Sequence, residues 1–134
     1  MSGPLFICTP YLAAGVIGGG AYVAGTPTVV AVSAAANGLL IERVRMWLPP
    51  CASLGGYGAG VILLSVLDDV AARTYIKAIA TPIMAQDEVI EPFDVRLDLV
   101  LPSGWSLEVS TSAEDLTVGQ IAMLSVLAQG GELG

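Results

Sequence analysis

Phe93-Asp94-Val95-Arg96-Leu97-Asp98-Leu99-Val100-Leu101 decides the fold. Val95, Leu97, Leu99 and Leu101 point one way along an extended chain, and Asp94, Arg96 and Asp98 point the other. A period of two with one apolar and one charged side marks a half-buried antiparallel strand with one wet face. Pro102-Ser103-Gly104 then turns the chain. Trp105–Thr111 alternates again, with Leu107 and Val109 set against Ser106, Glu108 and Ser110. The polar set of this strand is expected to face water.

The same reading extends outward in both directions. The 16 glycines and 8 prolines punctuate the chain at short intervals. Between them lie runs rich in Val, Ile, Leu and Thr, which is the pattern of many short strands. Thr28–Ser33 is β-branched and leads to the turn signal Asn37-Gly38. Leu39–Leu48 follows, closed by Pro49-Pro50, and Cys51–Gly60 is a glycine-rich loop. Val61–Leu67 is a continuous apolar run, as for a strand buried on both faces. Asp68-Asp69 turns the chain into Arg73–Ala80, and an acidic loop runs from Pro82 to Pro92. Two segments have a helical alternative. In Asp68–Ala80 the central Arg73-Thr74-Tyr75-Ile76 is poor in helix formers. Val118–Ala128 is bracketed by Gly119 and Gly130, and Val118–Gln129 is read as the last strand before a loose end, Gly130–Gly134. The expected fold is an all-β antiparallel β-sandwich of the jelly-roll or Greek-key type, with roughly eight strands.

The first 27 residues read differently. Leu5–Ala14 is apolar and charge-free, Gly15–Gly20 is a flexible join, and Ala21–Ala24 is a short strand. This segment is an N-terminal arm or a set of first strands, ahead of a sandwich domain over residues 28–134. At 134 residues the chain fits one domain.

Composition narrows the function. Only 13% of the residues are charged and 54% are hydrophobic; a soluble domain ordinarily has about a quarter of its residues charged. Mean hydropathy is +0.76. The two longest apolar stretches, Leu12–Ala36 and Val61–Val70, are broken by Gly15, Gly18-Gly19-Gly20, Gly25 and Pro27, or end too soon at Asp68-Asp69. Neither supplies the roughly 20 apolar residues of a spanning helix, so no membrane partner is expected. A signal peptide is not expected either, because the first basic residue is Arg43. The net charge of −7 and the scatter of Arg43, Arg45, Arg73, Lys77 and Arg96 argue against nucleic acid. Cys8 and Cys51 read as two free thiols.

Chemistry is hard to place. With no histidine, the usual general base and the commonest transition-metal ligand are missing. There is no GxSxG, no Walker loop and no dinucleotide fingerprint. Gly15–Gly20 lacks the Lys-Ser/Thr of a phosphate loop. Asp68-Asp69, Asp87-Glu88 and Glu114-Asp115 could hold calcium or act as glycosidase acids, but the first reads best as a solvated hairpin tip. The expectation is therefore no enzyme, no cofactor and no metal. Asp94, Arg96 and Asp98 read as an exposed face with cross-strand charge pairs. If Val44, Met46 and Leu48 point inward, Trp47 lies outside beside Arg43 and Arg45, the composition of an interface anchor. Such a chain must cover its edges and apolar surface, most simply by symmetric association. The expected contact residues are Leu5, Phe6, Ile7, Tyr11 and Tyr22 in the arm, and Arg43, Arg45 and Trp47 on the strand. Deleting Met1–Gly20 is expected to abolish association and leave the sandwich folded.

Three segments carry a resemblance. They are Gly38-Leu39-Leu40-Ile41-Glu42-Arg43-Val44-Arg45, then Leu101-Pro102-Ser103-Gly104-Trp105-Ser106-Leu107-Glu108-Val109-Ser110-Thr111, and Val126-Leu127-Ala128-Gln129-Gly130-Gly131. They resemble the strand and turn positions of small virion structural proteins of tailed bacteriophages, over about Thr28 to Leu133. Cys51–Gly60 and the apolar N-terminal segment have no match, and no functional residues carry over. The resemblance implies a β-sandwich capsid decoration (cement) protein, often a trimer. Its partners would be itself and the major capsid protein, on the outer capsid surface of the virion after synthesis in the host cytoplasm. The alternative is a tail or fibre component, a jelly-roll glycan or receptor binder using Trp47, Tyr57 or Trp105.

Overall fold

A computed structural model describes residues 7–18, 26–48, 60–81, 87–88, 91–111 and 123–134. Eight strands follow in chain order: β1 (Ile7–Gly18), β2 (Thr28–Val32), β3 (Leu39–Trp47), β4 (Gly60–Leu67), β5 (Arg73–Thr81), β6 (Phe93–Leu101), β7 (Ser106–Thr111) and β8 (Met123–Leu133). They form two four-stranded sheets of order β1-β8-β3-β6 and β2-β7-β4-β5. Every pairing is antiparallel. The chain changes sheet at each connection except the hairpin between β4 and β5. That wrapping is the double-sheet jelly roll. No helix occurs among the described residues, so none is long and apolar enough to cross a membrane.

The core is the shared interior of the two sheets. Ile17, Ile41, Val44, Met46, Leu101 and Leu124 of the first sheet meet Val30, Ile62, Leu64, Leu107 and Val109 of the second, all buried. Val95 and Leu101 of β6 face in, with Leu97 and Leu99 partly buried beside them, while Asp94, Arg96 and Asp98 are exposed, as the period of two requires.

Turn chemistry holds the strand ends. Trp105 N donates to Pro102 O at 3.0 Å, and Gly104 has φ +89°. A positive φ at the third residue is the type II arrangement, which favours glycine. Ser33 ties this turn to the end of β2: its backbone bonds both Trp105 O and Gly104 N, and its hydroxyl donates to Leu101 O at 2.9 Å. At the β4–β5 hairpin, Asp68 Oδ1 accepts from Val70 N and Ala72 N, both at 2.9 Å. Asp68 is thus a turn-forming carboxylate, and Asp69 beside it is exposed.

Three expectations need correction. Gly15–Gly18 is not a flexible join; it continues β1 as a strand paired to Val126–Met123. Gly15 faces inward, where an added Cβ would lie 3.2 Å from Val30 Cγ1. β1 also places Ile17 in the core, so removing residues 1–20 would take a wall from the sandwich. The last strand does not stop at Gln129. Gly130–Leu133 is part of β8, paired on one side to β1 and on the other to β3. Its glycine is a packing requirement, because a Cβ at 130 would overlap Leu40 O. Residues 118–122 lie outside the described residues, as do Ala21–Ala24, Cys51 and the pair Glu114-Asp115.

β3 adds a feature that the sequence reading left unaddressed, since its outward set includes two consecutive residues, Glu42 and Arg43. The register slips between Ile41 and Arg43 against both neighbours. This bulge lets Leu39 and Ile41 face inward on one side of it, and Val44 and Met46 on the other. The third correction concerns β7, which is buried on both faces. Ser106, Glu108 and Ser110 do not face water.

Candidate interaction surface

The outer face of the first sheet gathers the strand residues singled out in the sequence. Register sets the rows. Val16, Ser125 and Trp47 lie side by side across β1, β8 and β3. In the next row stand Ala14, Leu127, Arg45 and Asp94, and beyond it Leu12, Gln129, Arg43 and Arg96. The face is therefore divided. Its β1 side is apolar, with Leu12 66% and Val16 53% exposed. Its β3–β6 side is charged.

On the charged side Asp94 Oδ2 accepts from Arg45 Nη2 at 3.1 Å and lies 3.7 Å from Arg43 Nη1. Arg96 Nε donates to Asp98 at 2.9 Å. Hydrogen bonding to Asp98 raises the Arg96 guanidinium above its ordinary range. These pairs are solvent-exposed and contribute little to stability. Arg45, Asp94, Glu91 and Pro92 line a shallow depression at the start of β6.

Arg43, Arg45 and Trp47 are therefore brought together on one face, with Val44 and Met46 beneath them, as the alternation of β3 implies. The arm residues are not gathered with them. Tyr11 is partly buried against the core, and its hydroxyl accepts a hydrogen bond from Val32 N at 3.3 Å. It joins β1 to β2 across the sandwich. Ile7 begins β1 opposite Leu133. Leu5, Phe6, Tyr22 and Tyr57 lie outside the described residues. Leu12 and Val16, not singled out beforehand, are the large exposed apolar side chains of β1. Their signal was the strict alternation from Tyr11 to Ile17, hidden because both sides of it are apolar. Trp105 is partly buried against the core at the entry to β7, in the other sheet from Trp47.

The outer face of the second sheet holds an ion pair in which the carboxylate is buried and the arginine is exposed. Arg73 Nε donates to Glu108 Oε1 at 2.8 Å and Nη2 donates to Oε2 at 3.3 Å. Glu108 is 4% exposed. The hydrogen bond to Glu108 raises the Arg73 guanidinium further above its ordinary range, against a lesser downward pull from desolvation. Nearby Ser65 and Ser110 are buried, and among the described residues their hydroxyls have no hydrogen-bond partner. Among the described residues no three His, Cys, Asp or Glu side chains cluster as metal ligands would.

No protein-family model matches the chain, and no curated protein matches it. Among solved structures it is similar to a chain described as "Structure of infectious bursal disease virus Gt strain", at 12% identity and a TM-score of 0.33. The match covers 94% of this chain and 33% of that one, so this chain spans about a third of the other's length. At that identity and TM-score the likeness assigns neither a family nor a function.

Proposed function

We propose that this protein is a non-enzymatic structural component of a virion, a capsid decoration protein of a tailed phage that self-associates and binds the major capsid protein at the outer shell. The observation that carries the reading is the strand order β1-β8-β3-β6 over β2-β7-β4-β5. Jelly rolls of this kind serve viral capsids, lectins and cupins. A fold alone does not choose among these, so the surface must contribute. A cupin-like reading needs a metal or a reactive centre, and the residue types for one are scarce in a chain without histidine. A lectin-like reading needs grouped aromatic faces, and Trp47 ends β3 of the first sheet while Trp105 lies in the turn that enters β7 of the second. A coat component needs broad faces and edges, which the first sheet offers. Net charge of −7 suits a surface that avoids DNA.

The test is co-sedimentation of purified protein with undecorated heads of the encoding phage, with a glycan array run in parallel. Saturable pelleting with heads and a blank array is the expected result. A protein that ignores heads and binds glycans would move the reading to a tail or fibre role.

A further inference from the structure

We propose that two copies of this chain pair edge to edge through β1, antiparallel about a two-fold axis at Ala14, so that two first sheets join into one eight-stranded sheet. The inference deepens the self-association proposed above and rests on that reading for its biological setting.

The sandwich has four edge strands, β1 and β6 in one sheet and β2 and β5 in the other. Natural sheets protect such edges with charges, bulges, prolines or short length. β6 has Asp94, Arg96 and Asp98, and Asp98 sits at φ +47°. β5 has Arg73 and Lys77 and a register slip against β4. β2 is only 5 residues long, and its Val32 N–H already donates to Tyr11. β1 is the exception, since its 12 residues include no charge. Pro10 and the irregularity between Ile7 and Thr9 guard only its start. From Tyr11 to Gly18 nothing does, and among the described strands none pairs with that side of β1.

Charge and side-chain phase select a second copy as the occupant. Two chains of net charge −7 repel, so they meet best along a charge-free seam. β1 and the outward residues of β8 beside it, Ser125, Leu127 and Gln129, supply one. Glu132 of β8 lies beside Thr9 at the far end of the strand, and abreast of the axis the nearest charged columns, on β3, would stand about five strand spacings apart, roughly 24 Å. That exceeds the Debye length of about 8 Å at physiological salt. An axis through Ala14 sets Leu12 of one copy opposite Val16 of the other, twice. It also keeps both outward faces on one side. The two exposed apolar residues of β1 thus become cross-strand pairs.

Light scattering on the full chain at tens to hundreds of micromolar should give the mass of two protomers. The L12K/V16K double variant should give the mass of one and, at a dilution where the parent is also a single protomer, an unchanged melting temperature, because both side chains are then exposed. A second arm does not depend on that variant. With Cys8 and Cys51 replaced by serine, Ala14→Cys should cross-link to a dimer under mild oxidation. A two-fold axis there brings its Cα atoms within disulfide reach. Leu12→Cys alone should not cross-link, its copies lying about 14 Å apart along the strand. A mass of one or three protomers, a dimer indifferent to the lysines, or an Ala14→Cys variant that stays monomeric would overturn the pairing. A trimer that pellets with heads would do so while leaving the virion reading in place.

Discussion

One methyl group at position 130 is enough to disrupt the first sheet. A Cβ there would meet the backbone of Leu40 and Ile41 on β3, atoms that cannot rotate aside as a flexible side chain would. Gly130→Ala is expected to destabilise the fold by about 3 kcal/mol, the upper end for overpacking, measured by chemical denaturation. In the core, Leu64 is fully buried, and Leu64→Ala should cost about 3 kcal/mol by the same measurement. At Arg73 the effect acts through another residue. Arg73→Met strands the Glu108 carboxylate in a buried position without its forked donor, and the denaturation midpoint should fall. Arg73→Lys should restore only part of the loss, because an ammonium cannot reproduce two parallel hydrogen bonds. If Arg73→Met leaves the midpoint unchanged, the pair contributes nothing net.

At the scale of the strand, the bulge in β3 aligns two hydrophobic phases. Leu39 and Ile41 are odd-numbered, Val44 and Met46 even-numbered, and all four face inward because Glu42 is the extra residue. Deleting Glu42 should remove the bulge and leave Leu39, Ile41, Val44 and Met46 in one regular alternation, all still facing inward. The expected outcome is a cooperative unfolding transition that persists, followed by circular dichroism. Glu42→Ala keeps the residue count and should keep the fold. β1 makes the complementary case. Removing residues 1–20 is expected to abolish cooperative folding, because Ile17 leaves the core and one side of β8 loses its neighbour. These two strands also show where reading a sequence stops. Phe93–Leu101 was legible because polar and apolar residues alternate strictly. The outward placement of Arg43, Arg45 and Trp47 was legible for the same reason. The bulge was not, since Leu39-Leu40-Ile41 suits either phase. Gly130-Gly131 signals a loop in any local reading, and only the approach of β3 makes it a strand. Glu108 looked wet because the arginine that accompanies it lies 35 residues away. The hydrogen bond that Tyr11 accepts from Val32 N, 21 residues on, was equally out of reach of a local reading.

Across the whole molecule, the sheets interlock through the path of the chain. β8 sits between β1 and β3, and Ile7 pairs with Leu133. The ends of the described chain are therefore neighbours in one ladder. A circular permutant that joins them through a short flexible linker and opens the β4–β5 hairpin at the exposed Asp69-Val70 should fold to the same structure. Its unfolding midpoint, compared with that of the parent, is the check. The central place of β8 also has a consequence in time. During synthesis β1 emerges well before β8, which lies more than a hundred residues later and is its only neighbour in the sheet among the described residues. Until the ribosome has released that last strand, the least charged segment of the protein must wait unpaired. Refolding from denaturant should accordingly be slow, on a millisecond-to-second scale, because distant segments have to find one another before either is rewarded. In a crowded cell, that interval is when nascent chains are most exposed to holdase chaperones and to one another.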